Sequence, residues 1–167
     1  MESRVKLFGH PAHPVLVVFP LGLWLTAVLF DLAYLVTGSP TLVAAAYWMI
    51  AMGLLGGLVA APFGLIDWLA VPKDTRAKAI GFLHGSGNLI VLLLFGGSWL
   101  LRRSAPDYPG LWAHVLAFLG AALVLVTGWL GGELVDRLGV GVDDDAHLNA
   151  PSSLSGKPNP VLSRHHR

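Results

Sequence analysis

The chain has 167 residues, 54% of them hydrophobic and 13% charged, with a formal net charge of +1 and no cysteine. A soluble domain carries about 25% charged residues, so this composition excludes a disordered chain and points to a membrane protein. The near-zero net charge argues against nucleic-acid binding, and the absence of cysteine excludes disulfides, thiolate nucleophiles and Cys-ligated metal centres.

The first long apolar run, Pro14 to Val36, follows two His-Pro pairs, His10-Pro11 and His13-Pro14. It is long enough for a retained membrane helix rather than a cleaved leader, since about 20 apolar residues cross the hydrocarbon core. A short turn, Gly38-Ser39-Pro40-Thr41, opens the second span, Leu42 to Val71, with Ser39 as N-cap and Pro40 in the first helical position. Pro72 to Arg76 separates it from the third span, Ala79 to Leu101, and the stretch from Arg102 to Gly110 precedes the fourth, Leu111 to Leu134. Short loops make neighbouring helices antiparallel. The expected fold is therefore all-α: a four-transmembrane-helix antiparallel bundle over residues 1–138, followed by a flexible polar tail over 139–167. Pro20 and Pro62 interrupt spans one and two and are read as kinks.

Four spans put both termini on one side, with Arg4, Lys6, Lys73, Arg76, Lys78 and Arg137; Arg102 and Arg103 fall on the other. The positive-inside rule then places both termini in the cytoplasm, for a multi-pass protein of the bacterial inner membrane. Trp48, Trp99 and Trp112 fall near one interface and Trp68 near the other, whereas Trp24 sits deep. Gly53, Gly57 and Ala61, Gly81 and Gly85, and Gly128 and Gly132 give three spans a small-residue face for close packing within the bundle, or for a homodimer.

Polar groups inside a span are costly and mark candidate sites. His13, Asp67, His84 and Glu133 come from four distant segments yet fall at one depth, near the termini; Asn88 shares a helix face with His84, and His10 lies just outside. Asp31 and His114 fall toward the opposite end. Spans one and three are diagonal in an up-down bundle. His13 and His84 on them are suited to ligate one haem b axially, with Asp67 orienting an imidazole and Asn88 beside it. The alternative is a divalent-metal site of His10, His13, His84 and Glu133. A third reading is a proton path, and the plainest is that the cluster ties helices together in a non-enzymatic scaffold that docks a partner. No catalytic residue emerges. Asp143, Asp144, Asp145 and His147 are read as a solvated acidic run, and His165-His166 as incidental.

Four strings are more particular than composition: Gly9 to Trp24, beginning Gly-His-Pro-Ala-His-Pro; Asp67-Trp68-Leu69-Ala70-Val71-Pro72; Thr75-Arg76-Ala77 through His84 to Asn88; and Gly128-Trp129-Leu130-Gly131-Gly132-Glu133-Leu134-Val135. In this order they resemble a bacterial membrane family, domain of unknown function 2231, up to about Val142. The resemblance implies a four-span inner-membrane protein with no established activity. Family members that occur with Rieske-type domains imply an iron–sulfur redox partner by association.

Overall fold

The computed structural model describes residues 1–155. Four long helices run α1 (Ala12–Thr37), α2 (Pro40–Ala70), α3 (Arg76–Arg102) and α4 (Leu111–Gly132), and each is long and apolar enough to cross a membrane. Their outward faces carry side chains such as Leu29, Leu58, Leu65, Leu93 and Leu125, all exposed. That is the pattern of a bundle whose solvent is lipid. Helices suit that solvent because they satisfy their backbone groups internally.

Local chemistry sets the helix ends. Gly38 closes α1 in the left-handed conformation, and its N–H donates to the Tyr34 carbonyl at 2.7 Å. Pro40 stands at the first position of α2 behind Ser39, whose side chain makes no capping bond. Thr75 caps α3, its hydroxyl accepting from the Lys78 N–H at 3.1 Å. Pro20 and Pro62 lie inside continuous helices.

The helices pack as two hairpins. α1 lies along α2 and α3 along α4; the hairpins meet chiefly through α2 and α3, while α1 and α4 touch sparsely. The small residues of α2 make the first hairpin tight. A methyl group built at Gly53, Gly56 or Gly64 would collide with Trp24, Phe19 or His13 of α1 respectively. Of the expected stripe on α2, Gly53 and Gly57 work inside the bundle, whereas Ala61 is exposed. On α3 and α4 the close approaches fall at Gly81, as the spacing suggested, where a methyl group would collide with Trp68, and at Gly87, Gly97, Gly120 and Gly131. At Gly85, Gly128 and Gly132, which the spacing had selected, a methyl group would meet nothing within 4 Å among the described residues.

The core joins all four helices. Trp24 stacks flat on Phe95, ring centroids 4.8 Å apart, beside Ala27, Ala46, Ile50, Val91, Ala117, Ala121 and Val124. Trp24 also donates its indole N–H to the Ile50 carbonyl at 3.4 Å.

Two features depart from the sequence reading. A two-residue hairpin precedes α1, with β1 (Lys6–Leu7) paired to β2 (His10–Pro11) and Phe8 and Gly9 both at positive φ in the turn. After α4 the chain makes one π-helical turn over Glu133–Arg137, and residues 139–153 then return to the N-terminal segment. The Met1 ammonium donates to the Gly139 carbonyl at 3.0 Å, Lys6 pairs with Asp143 at 2.7 Å, and the Ser153 hydroxyl donates to the Phe8 carbonyl at 3.1 Å. The stretch read as a separate tail begins as the partner of the N-terminus.

Candidate functional site

The structure brings His13 and His84 together. Their ring centroids lie 6.2 Å apart, with planes nearly perpendicular at 88°. Each ring is held in the same way. His13 Nδ1 lies 3.0 Å from the Ala60 carbonyl of α2, and His84 Nδ1 lies 2.8 Å from the Thr127 carbonyl of α4. Four residues after each carbonyl stands a glycine, Gly64 and Gly131, against which the ring rests. A side chain at that position would screen the helix carbonyl, so the glycine opens the carbonyl sideways to the imidazole.

With a carbonyl as its only possible partner, each Nδ1 must carry the proton. The lone pair of each ring is then on Nε2. His84 Nε2 lies 3.1 Å from the Asn88 amide nitrogen, which donates to it. A histidine whose Nδ1–H is fixed by a backbone carbonyl and whose Nε2 is free to bind is the arrangement metal-ligating histidines adopt.

Gly128 and Gly132 continue the α4 face that carries His114 and Ala121 toward α1, by helical phase. Both are exposed, and their positions face open space among the described residues.

The other expected site residues go elsewhere. Asp67 does not orient an imidazole: its carboxylate accepts from the Ser3 hydroxyl at 2.8 and 3.0 Å and from the Arg4 N–H at 2.7 Å, tying down the N-terminal segment. Glu133 accepts from Arg76 at 2.6 Å. His10 is exposed in β2, opposite Leu7. The quartet of His10, His13, His84 and Glu133 is therefore not assembled. No group of three or more His, Asp or Glu is placed to hold a metal ion among the described residues. Asp143 and Asp144 face Lys6 and the N-terminal ammonium. His165 and His166 lie outside the described residues.

A second polar centre occupies the opposite end of the bundle. Arg102, expected in the loop after span three, is the last residue of α3 and is fully buried. Helical side chains slant toward the helix N-terminus, which turns Arg102 back into the bundle. Its guanidinium donates to both oxygens of Asp31, at 2.7 and 2.6 Å, and to the Ser98 hydroxyl at 3.2 Å. Ser98 in turn donates to the Ala113 carbonyl at 2.6 Å. A buried charge survives in such a place only when paired and hydrogen-bonded. His114 stands alongside, its Nδ1 3.5 Å from Asp31 Oδ2.

The two centres share one register. His13 and Asp31 lie eighteen residues apart on α1, and His84 and Arg102 lie eighteen apart on α3. The spacing is five helical turns, about 27 Å. The diagonal pair of helices is thus joined at both ends by matched positions. The repeated spacing of eighteen was the signal that would have paired Arg102 with Asp31.

The family described as predicted membrane protein, DUF2231, matches residues 9–144. That range takes in both polar centres. No curated protein and no solved structure matches the chain.

Proposed function

The chain belongs to the DUF2231 family of predicted membrane proteins, and we propose that it is a redox-associated inner-membrane subunit that holds haem b between His13 and His84. The observation that carries this reading is the paired imidazoles, both with Nδ1 directed at a backbone carbonyl, which leaves Nε2 as the ligating atom, shared in His84 with the Asn88 amide. Two imidazoles that share one metal ion bring their nitrogens to about 4 Å, twice a metal–nitrogen bond of about 2.0 Å. A centroid separation of 6.2 Å is compatible with that approach.

The donor count favours haem over a bare ion. Two histidines are too few for a zinc site, which takes three or four protein ligands. Haem iron needs only axial ligands. The exposed backbone at Gly128 and Gly132 provides a flank where a macrocycle meets no side chain. Asn88 would release His84 Nε2 on binding and remain as a polar neighbour. Bound haem would supply a one-electron carrier; the chain's own part is to fix both imidazole tautomers and keep the site within the bundle.

The reading places both termini in the cytoplasm. Arg102 is neutralised by Asp31, so of the two arginines at the far end only Arg103 opposes the basic residues at the termini. An iron–sulfur protein on the cytoplasmic side is the kind of partner this orientation suits.

The test is the absorption spectrum of detergent-purified protein, expressed with ample haem, before and after dithionite. A Soret band that shifts on reduction is expected in the wild type and lost in both His13→Ala and His84→Ala. A folded protein without a Soret band would leave the histidines as interhelical ties and favour the docking scaffold.

A further inference from the structure

His114 presents a separate problem. It is 4% exposed, and neither ring nitrogen has a hydrogen-bond partner among the described residues. Buried polar groups are nearly always bonded, and one that is not calls for an explanation. Interhelical glue does not supply one, because a tie must make a bond.

The surroundings are specific. From α1, Asp31 faces Nδ1 at 3.5 Å and Tyr34 stacks on the ring at 5.8 Å. From α3, Arg102 and Ser98 hold the Asp31 side of the cluster. On α4 itself Phe118 lies against the ring at 6.2 Å. Among the described residues, α2 places no titratable or charged side chain in hydrogen-bond, ion-pair or ring contact with it. A carboxylate has about four lone-pair sites. The Arg102 fork takes one on each oxygen, so Asp31 Oδ2 keeps one that faces His114.

We propose that His114 is a buried proton-binding site, its Nδ1–H directed by Asp31 and its Nε2 the accepting atom. A carboxylate on one imidazole nitrogen orients the ring and stabilises the imidazolium formed when the other nitrogen takes a proton. Here Arg102 anchors that carboxylate from the far side. The step is a simple proton transfer. A proton delivered by water binds Nε2, no other bond breaks, and the Asp31–Arg102–His114 cluster passes from net neutral to a single positive charge. This site stands about 27 Å from the His13–His84 pair along the axis and does not depend on haem.

The experiment is ¹⁵N NMR of the full chain, labelled at histidine, in nanodiscs across about pH 5 to 8. His114→Gln assigns the resonances. The expected result is a neutral pattern at the upper end that converts to imidazolium as the pH falls. Asp31→Asn should lower the proton affinity of His114 at least about tenfold, and Asp31→Glu should restore it. Wild-type His114 that stays neutral across the window would overturn the proposal, as would an unchanged midpoint in a folded Asp31→Asn. Should Asp31→Asn fail to fold, the wild-type titration and the midpoint of Asp31→Glu decide alone. A Glu variant that keeps the wild-type midpoint supports the coupling, and one that stays neutral across the window contradicts it.

Discussion

Arg102 grips Asp31 through both carboxylate oxygens with neither side chain exposed, and this joins the end of α3 to α1 across the seam between the hairpins. Removing one partner of a buried pair leaves an uncompensated charge, at a cost of about 3–5 kcal/mol. Arg102→Met should therefore lower thermal stability in detergent sharply. The double variant Arg102→Met with Asp31→Leu should recover most of the loss, since apolar replacement of a whole buried pair is often neutral. Thermal unfolding followed by tryptophan fluorescence reads both.

Gly64 gives a test of the His13 cradle that leaves both histidines in place. A methyl group there would lie 2.9 Å from His13 Nδ1 and Cε1. Gly64→Ala should displace the ring from the Ala60 carbonyl and cut occupancy of the proposed haem site at least about tenfold, equivalent to about 1.4 kcal/mol. Gly22→Ala, which meets nothing within 4 Å among the described residues, should leave occupancy unchanged. The haem-to-protein ratio after purification measures it.

The exposed glycines of α4 make a different demand. At Gly128 a methyl group meets no described residue within 4 Å, so the Gly128→Leu apoprotein should unfold at or above the wild-type temperature, helped by the better helix former. Its haem binding should fall. Loss of stability together with haem would show instead that Gly128 serves packing.

Asp67 anchors the N-terminal segment through the Ser3 hydroxyl, shared between its two oxygens, and the Arg4 N–H. Hydrogen bonds to an ionised acceptor contribute about 1.5–3 kcal/mol. Asp67→Asn should free the segment and speed tryptic cleavage at Arg4 and Lys6, with the spectrum of the proposed haem unchanged. A lost spectrum in a folded Asp67→Asn would return Asp67 to the histidine site.

Lys6 adds a pH dependence to the same clasp. Hydrogen bonds to Asp143 and then Glu2 hold its ammonium above the ordinary lysine value of 10.5. A raised folded value means that its contribution is complete below 10.5 and is lost as pH climbs through the higher folded value. Phe8, 83% exposed at the hairpin tip, is a convenient reporter because the chain has no cysteine. A spin label on Phe8→Cys should gain mobility only above about pH 10.5, and Asp143→Ala should bring the change to lower pH.

The four spans and the meeting of His13 with His84 were legible because hydropathy fixes depth, and short loops fix which helices lie diagonally. Depth alone misassigned Asp67 and Glu133. Both lie at the right level, but the folded-back N-terminus and Arg76 claim them, and neither contact has a local signature. Arg102 follows an apolar run, which reads as a membrane-flanking charge; only its register against His84, matching that of Asp31 against His13, marks it as a core residue. The β1–β2 hairpin was hidden because each strand has two residues, too few for any period to show.

The most direct measurement is a haem titration of the purified apoprotein in detergent, wild type against His13→Ala and His84→Ala, followed by absorption and by resonance Raman spin-state markers. The account predicts one haem per chain, six-coordinate and low-spin in the wild type, with each single variant giving a weaker, five-coordinate high-spin complex. Identical spectra and affinities in all three proteins would contradict it.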